Sequence, residues 1–263
     1  MQRVDTLTIA GLGLLLMPLL TMWHEIGGHA LVCAVQGGRI ATIGAFYVDC
    51  EGLVGLANVL VAGAGVFVNA LLAIVAYQVW RRLAGDTARV VSWLVWVSEA
   101  FVASGYFLFS GVTGYGDLGI AKGGSLAGSG LGWPVQIVEI AIGLASYVML
   151  VRFAIRTLNA MIGEGPDTRR ARRSIAHVYY ASAGVAAVLV GVLNPVGIVI
   201  TIMSAAASSF GGLAGFISIG YAVGSEGEAR PIHVPRNLAA VAAGVVVLMG
   251  FAIVLGPSVH FAQ

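Results

Sequence analysis

Residues 6–35 read TLTIAGLGLLLMPLLTMWHEIGGHALVCAV. As a helix rising 1.5 Å per residue, a run of this length crosses a hydrocarbon layer of about 30 Å with residues to spare. Its interruption is as telling as its apolarity: His24, Glu25 and His29 fall within six positions of one another. Ionisable side chains at membrane depth are costly, so such a cluster marks function by default.

The rest of the chain extends this reading. It has 263 residues, 59% hydrophobic and 10% charged, against about 25% charged in soluble domains. Further apolar runs at residues 53–79, 90–113, 131–157, 174–193, 197–222 and 237–258 predict helices. These runs are too long for the strands of a membrane barrel, which alternate in segments of about ten residues. The expected fold is an all-α polytopic bundle of about six to seven transmembrane helices, with a short β-hairpin-like loop after the first. It forms a single integral membrane domain over residues 1–263, with a core at about 6–125 and additional helices at 131–258. Residues 203–212, rich in alanine, serine and glycine, suit close packing or a helix broken in two. Met1-Gln2-Arg3 before an apolar run imitates a signal peptide, but no small-residue cleavage site follows.

Net charge is +2, and the basic residues fall between the apolar runs, which gives nucleic acid binding no support. Placing the N-terminus inside puts Arg3, Arg81, Arg82, Arg89, Arg152, Arg156, Arg169, Arg170, Arg172, Arg173, Arg230 and Arg236 on one side. Arg39 and Lys122 remain on the other. The positive-inside rule then makes the N-terminus cytoplasmic and the C-terminus external. The expected location is a bacterial-type inner (plasma) membrane. The Arg169–Arg173 run reads as a topogenic or lipid-headgroup contact.

Two loops on the outer side stand apart. Residues 40–48, rich in β-branched and aromatic side chains, read as a strand or hairpin along the membrane surface. Residues 111–134 are glycine-rich and contain Tyr115-Gly116-Asp117-Leu118-Gly119. Their glycines do not match a phosphate loop.

His24-Glu25-Ile26-Gly27-Gly28-His29 nearly spells the zinc-protease signature H-E-x-x-H, with the second histidine one residue late. Residues five apart diverge by about 140° on a regular helix. A π-bulge, closed by i→i+5 hydrogen bonds, absorbs the extra residue and returns both imidazoles to one face. Gly27-Gly28 supplies the backbone freedom for it. A catalytic zinc needs three protein ligands and one open position, and Asp117, at the outer end of the third run, is the choice for the third. Glu25 is then the general base. Glu99 and Glu139 compete for the ligand position from within predicted spans. Cys33 reads as a small core residue, with a ligand role or a disulfide to Cys50 as alternatives. His177 reads as interfacial, and residues 194–197 as a turn.

These residues resemble the site-2 protease family of intramembrane zinc metalloproteases over roughly residues 15–120. His24–Ala30 resembles that family's H-E-x-G-H-A segment with one residue added. Ala64-Gly65-Val66-Phe67-Val68-Asn69 resembles its A-G-P-x-x-N helix with valine for proline, and Asp117-Leu118-Gly119 resembles its aspartate–glycine ligand motif. The resemblance implies a metalloendopeptidase that cleaves a membrane protein or peptide in or near its transmembrane segment. Zn2+ would be held by His24, His29 and Asp117, and Glu25 would be the catalytic acid/base. Asn69 would orient substrate or stabilise the oxyanion, and the 38–51 segment would hold substrate by edge pairing. It also implies a site near the cytosolic face, whereas the arginine count places the cluster nearer the outer one. Two readings of other classes stand beside it. One is an ion or small-molecule transporter using His24, Glu25, His29, Glu99 and Glu139. The other is an inactive protease-like scaffold. Ligands of this type also accept other divalent ions. Substrate identity and oligomeric state are not readable from the residues.

Overall fold

The computed structural model describes residues 2–121, 124–127, 130, 132–198 and 201–261. Lys122, counted above on the outer side, lies outside them. Seven helices are found among the described residues: α1 Thr6–Val35, α2 Leu56–Arg82, α3 Asp86–Thr113, α4 Trp133–Ile162, α5 Pro166–Gly191, α6 Met203–Tyr221 and α7 Leu238–Val254. The first six are long and apolar enough to span a membrane, and α7 is shorter at 17 residues. Several ends lie beyond the predicted runs, because Arg81, Arg82, Arg89 and the Arg169–Arg173 stretch continue the helices past the apolar core. Arginine stems pack apolar surface while their heads reach water.

The elements alternate between two poles. At one, β1 (Gln2–Val4) pairs in parallel with β4 (Ile232–Val234). At the other, β2 (Arg39–Ile43) lies between β3 (Val48–Glu51) and β5 (Val259–His260), antiparallel to both. The predicted hairpin is therefore present, with Phe46 and Tyr47 in its turn rather than in a strand. β3 keeps one edge of this sheet unpaired.

Helices meet closely through small residues, as lipid-embedded packing favours. A Cβ on Gly28 would lie 2.7 Å from the Cα of Gly65, so α1 and α2 touch backbone to backbone there. Trp93, Phe101, Leu158, Tyr179 and Phe216 fill the main core between α3, α4, α5 and α6. The sixth helix is interrupted: residues 201–211 are π-helical, and a turn precedes Gly215–Tyr221.

Three readings need correction or completion. Cys33 and Cys50 form a disulfide with Cα atoms 6.0 Å apart, so Cys33 is neither a ligand nor a simple core residue. Hydropathy could not reveal this, because the bond depends on the hairpin folding back onto the end of α1. Arg172 is fully buried and donates to Asn159 Oδ1 at 2.5 Å, so it braces the α4–α5 junction rather than meeting lipid. Residues 194–197 do form a turn, closed by the Asn194 side chain accepting from the Val196 N–H at 2.9 Å.

Candidate metal centre

Within α1, residues Trp23–Ala30 form a π-helix, the predicted distortion in extended form. The Trp23 indole ties this segment to α2 by donating to the Val68 carbonyl at 2.9 Å. The widened turn brings His24 and His29 onto one face, with their Nε2 atoms 3.0 Å apart. Ligand atoms of His24, Glu25 and His29 all lie within 4.8 Å of one another, and all three residues are buried. This group can hold a metal ion.

Asp117 reaches the same point from the loop after α3. Its Oδ2 is 3.5 Å from His24 Nε2 and 3.4 Å from His29 Nε2. Gly114 ends α3 in a left-handed conformation (φ 73°), and Gly116 (φ 87°) turns the chain back so that Asp117 faces the helices. Ser125 fastens the turn by donating to the Asp117 carbonyl.

The outer nitrogens decide what the inner ones present. His29 Nδ1 is 2.8 Å from the carbonyl of Val61, to which it can only donate. His24 Nδ1 is 3.0 Å from Asn69 Oδ1 in the amide orientation that satisfies every partner. These tautomers follow from the hydrogen-bond network rather than from observed hydrogens. With both Nδ1 atoms protonated, each neutral imidazole presents a bare lone pair at Nε2. Two lone pairs and a carboxylate oxygen thus converge with no donor between them. Asp117 Oδ2 and Glu25 Oε2 are both buried without a hydrogen-bond partner among the described residues. A cation at the centre resolves all of this. Ligands about 2.05 Å from a tetrahedral ion stand about 3.3 Å apart, close to the three separations found, so the donor set fits zinc.

Gly65 makes room for the imidazoles, since a Cβ there would sit 2.5 Å from each Nε2. Tyr106 stacks on His24 with ring centroids 4.9 Å apart and 9° between planes. Asn69 is 1% exposed and engages the His24 imidazole through its amide oxygen. Glu99 meets Asn69 and not the ligand cluster, and Glu139 lines neither cavity described next. His177 contacts the Ile217 carbonyl at 3.1 Å, far along the chain from the cluster.

Two spaces adjoin the centre. A cavity of about 900 Å³ is lined by Glu25, His29, Asp117, Val48, Asp49 and Cys50, among others, so the free edge of β3 faces it. A smaller one of about 70 Å³ lies behind the cluster, lined by His24, Glu25, Asn69, Glu99 and serines of α6. Residue spacing alone pointed to His24, Glu25, His29 and Asp117. It missed Gly65 and Tyr106, whose roles arise only when α2 and α3 pack against α1; the glycine in Ala64–Asn69 was the one available signal.

Comparison with family models, with curated proteins and with solved structures finds no match.

Proposed function

We propose that this chain is an intramembrane zinc metalloendopeptidase and a divergent relative of the site-2 protease family, cleaving a peptide bond in or near a transmembrane segment of another membrane protein. The observation that carries the reading is the convergence of two imidazole lone pairs and one carboxylate beside a second carboxylate, that of Glu25, whose Oε2 has no hydrogen-bond partner among the described residues. His24, His29 and Asp117 would hold the ion, leaving room for water and substrate. When bound there, zinc acidifies a water and polarises the scissile carbonyl.

Glu25 takes a proton from the attacking water as its oxygen bonds to the carbonyl carbon. It returns that proton to the amine nitrogen as the C–N bond breaks. Its position on the wall of the large cavity supports this assignment, because substrate must enter there. An extended segment pairing with the free edge of β3 would present its backbone to the cluster. Asn69 serves as a positioning residue for His24.

The Cys33–Cys50 disulfide supports an outward-facing site. It lies one turn beyond His29, and disulfides persist in oxidising compartments. The arginine distribution points the same way.

The test uses the full chain purified in detergent, with metal content measured alongside cleavage of a reporter transmembrane segment. Glu25→Gln should keep about one zinc per chain and lose cleavage, and the double His24→Ala/His29→Ala variant should lose both. Protein that takes up no divalent metal would refute the reading. Metal flux into liposomes without cleavage would instead favour a transporter, and wild-type behaviour of Glu25→Gln a scaffold.

A further inference from the structure

Glu99 is 2% exposed in the middle of α3, and among the described residues it forms no salt bridge. Burying a carboxyl group at this depth is unfavourable unless its hydrogen-bonding capacity is used. Its contact is the Asn69 amide: Nδ2 donates to Glu99 Oε2 at 3.1 Å and also reaches the Gly65 carbonyl at 3.2 Å. The other end of the same amide accepts from His24 Nδ1 at 3.0 Å. Three side chains from three helices thus form one line: carboxyl of α3, amide of α2, imidazole of α1.

Packing does not do this job. The small cavity opens against His24, Asn69 and Glu99 together, so no side chain buttresses them from that side. Stacking by Tyr106 holds the plane of the His24 ring but offers its Nδ1 no hydrogen-bond partner. The bond at Nδ1 fixes the tautomer of the ring, and the amide can hold that bond only if something fixes which end is oxygen. Glu99 Oε2 and the Gly65 carbonyl do so together, because two acceptors opposite Nδ2 make the flipped amide unfavourable.

We propose that Glu99 is a positioning residue for the metal centre, acting through Asn69 to set the tautomer and direction of His24. This rests on the metal-site reading above and extends it to a residue that touches neither ion nor substrate. Partners of this kind typically change metal affinity ten- to a hundredfold when removed from direct contact with a ligand.

The experiment titrates metal-stripped full-length protein in detergent with Co2+, following the visible absorption band and competition with a chelator. Glu99→Leu should weaken binding about tenfold and shift the band. Glu99→Gln, whose carbonyl can still accept from Asn69, should restore wild-type affinity and spectrum. Asn69→Ala breaks the line from its other end and serves where Glu99→Leu fails to fold. In an Asn69→Ala background, Glu99→Gln and Glu99→Leu should bind Co2+ alike, because the coupling is gone. Wild-type affinity and spectrum in Glu99→Leu, or an effect of Glu99 that persists without Asn69, would overturn the proposal while leaving the metal site standing. Failure of the wild-type chain to bind Co2+ would overturn both.

Discussion

A single missing methyl group defines the centre at the scale of residues. Gly65 offers the imidazoles a floor of bare backbone, and Gly65→Ala would place a carbon 2.5 Å from the Nε2 atoms of His24 and His29. Backbone of α1 at Gly28 lies directly against it, so neither helix can retreat. Gly65→Ala is therefore expected to abolish metal uptake, read by metal content, while the helical circular dichroism stays close to wild type. Asp5 gives a second local test. Its carboxylate accepts from the backbone N–H of Thr8 at 2.9 Å, and that bond holds its carboxyl below the ordinary value. A value lower in the folded than in the unfolded chain, where it is about 3.9, stabilises above that pH and is lost as pH falls through the folded value. Thermal unfolding of Asp5→Ala should lie below wild type at pH 7, with the gap closing below about pH 4.

Among the elements, α1 shows what sequence can and cannot convey. Its span, the clash between five-residue spacing and α-helical geometry, and the remedy at Gly27-Gly28 were all legible, because each depends on positions along one helix. The centre's remaining parts were not. The Cys33–Cys50 bond, the Tyr106 stack and the Glu99–Asn69–His24 line each require two or three helices to be placed in space, and a single sequence encodes no such distances. Asp117 was reached through its place at the outer end of the third apolar run, at the depth expected of His24 and His29. The π segment also makes a sharp prediction. Deleting Gly27 removes the extra residue and leaves H-E-x-x-H, which a plain α-helix presents on one face. The shortened chain should retain zinc, whereas deleting a residue from the α-helical stretch before Trp23 should not. Loss of metal in the Gly27 deletion would show that the wide turn does more than correct the spacing.

For the whole molecule, the alternation of poles is what turns a metal cluster into a membrane site. The strands β2, β3 and β5, the disulfide and the Asp117 loop share one end, while β1, β4 and the arginine-rich junctions share the other. In a background lacking native thiols, a cysteine placed at Asp49 should react with a membrane-impermeant maleimide from outside intact cells. One placed at Arg82 should react only after lysis. The reverse pattern would refute an outward-opening site and restore the cytosolic one that the family resemblance implies. Legibility at this scale was uneven: charge and hydropathy revealed the crossings, but not that the two chain ends close separate sheets.

The Thr6–Met22 part of α1 packs against α7. A Cβ on Gly11 would lie 2.7 Å from the Cα of Val241, Asn237 N–H donates to Thr8 Oγ1 at 2.8 Å, and the Thr8 hydroxyl reaches the carbonyl of Pro235, 227 positions away. The helix that carries His24, Glu25 and His29 is thus clasped by a segment far along the chain. Without α7, the histidines and the glutamate would sit on a helix whose first half has lost this brace. A chain stopped after residue 222 should insert its first six helices yet retain little zinc through purification. If so, α7 sets how firmly α1 holds the His24–Glu25–His29 group in place.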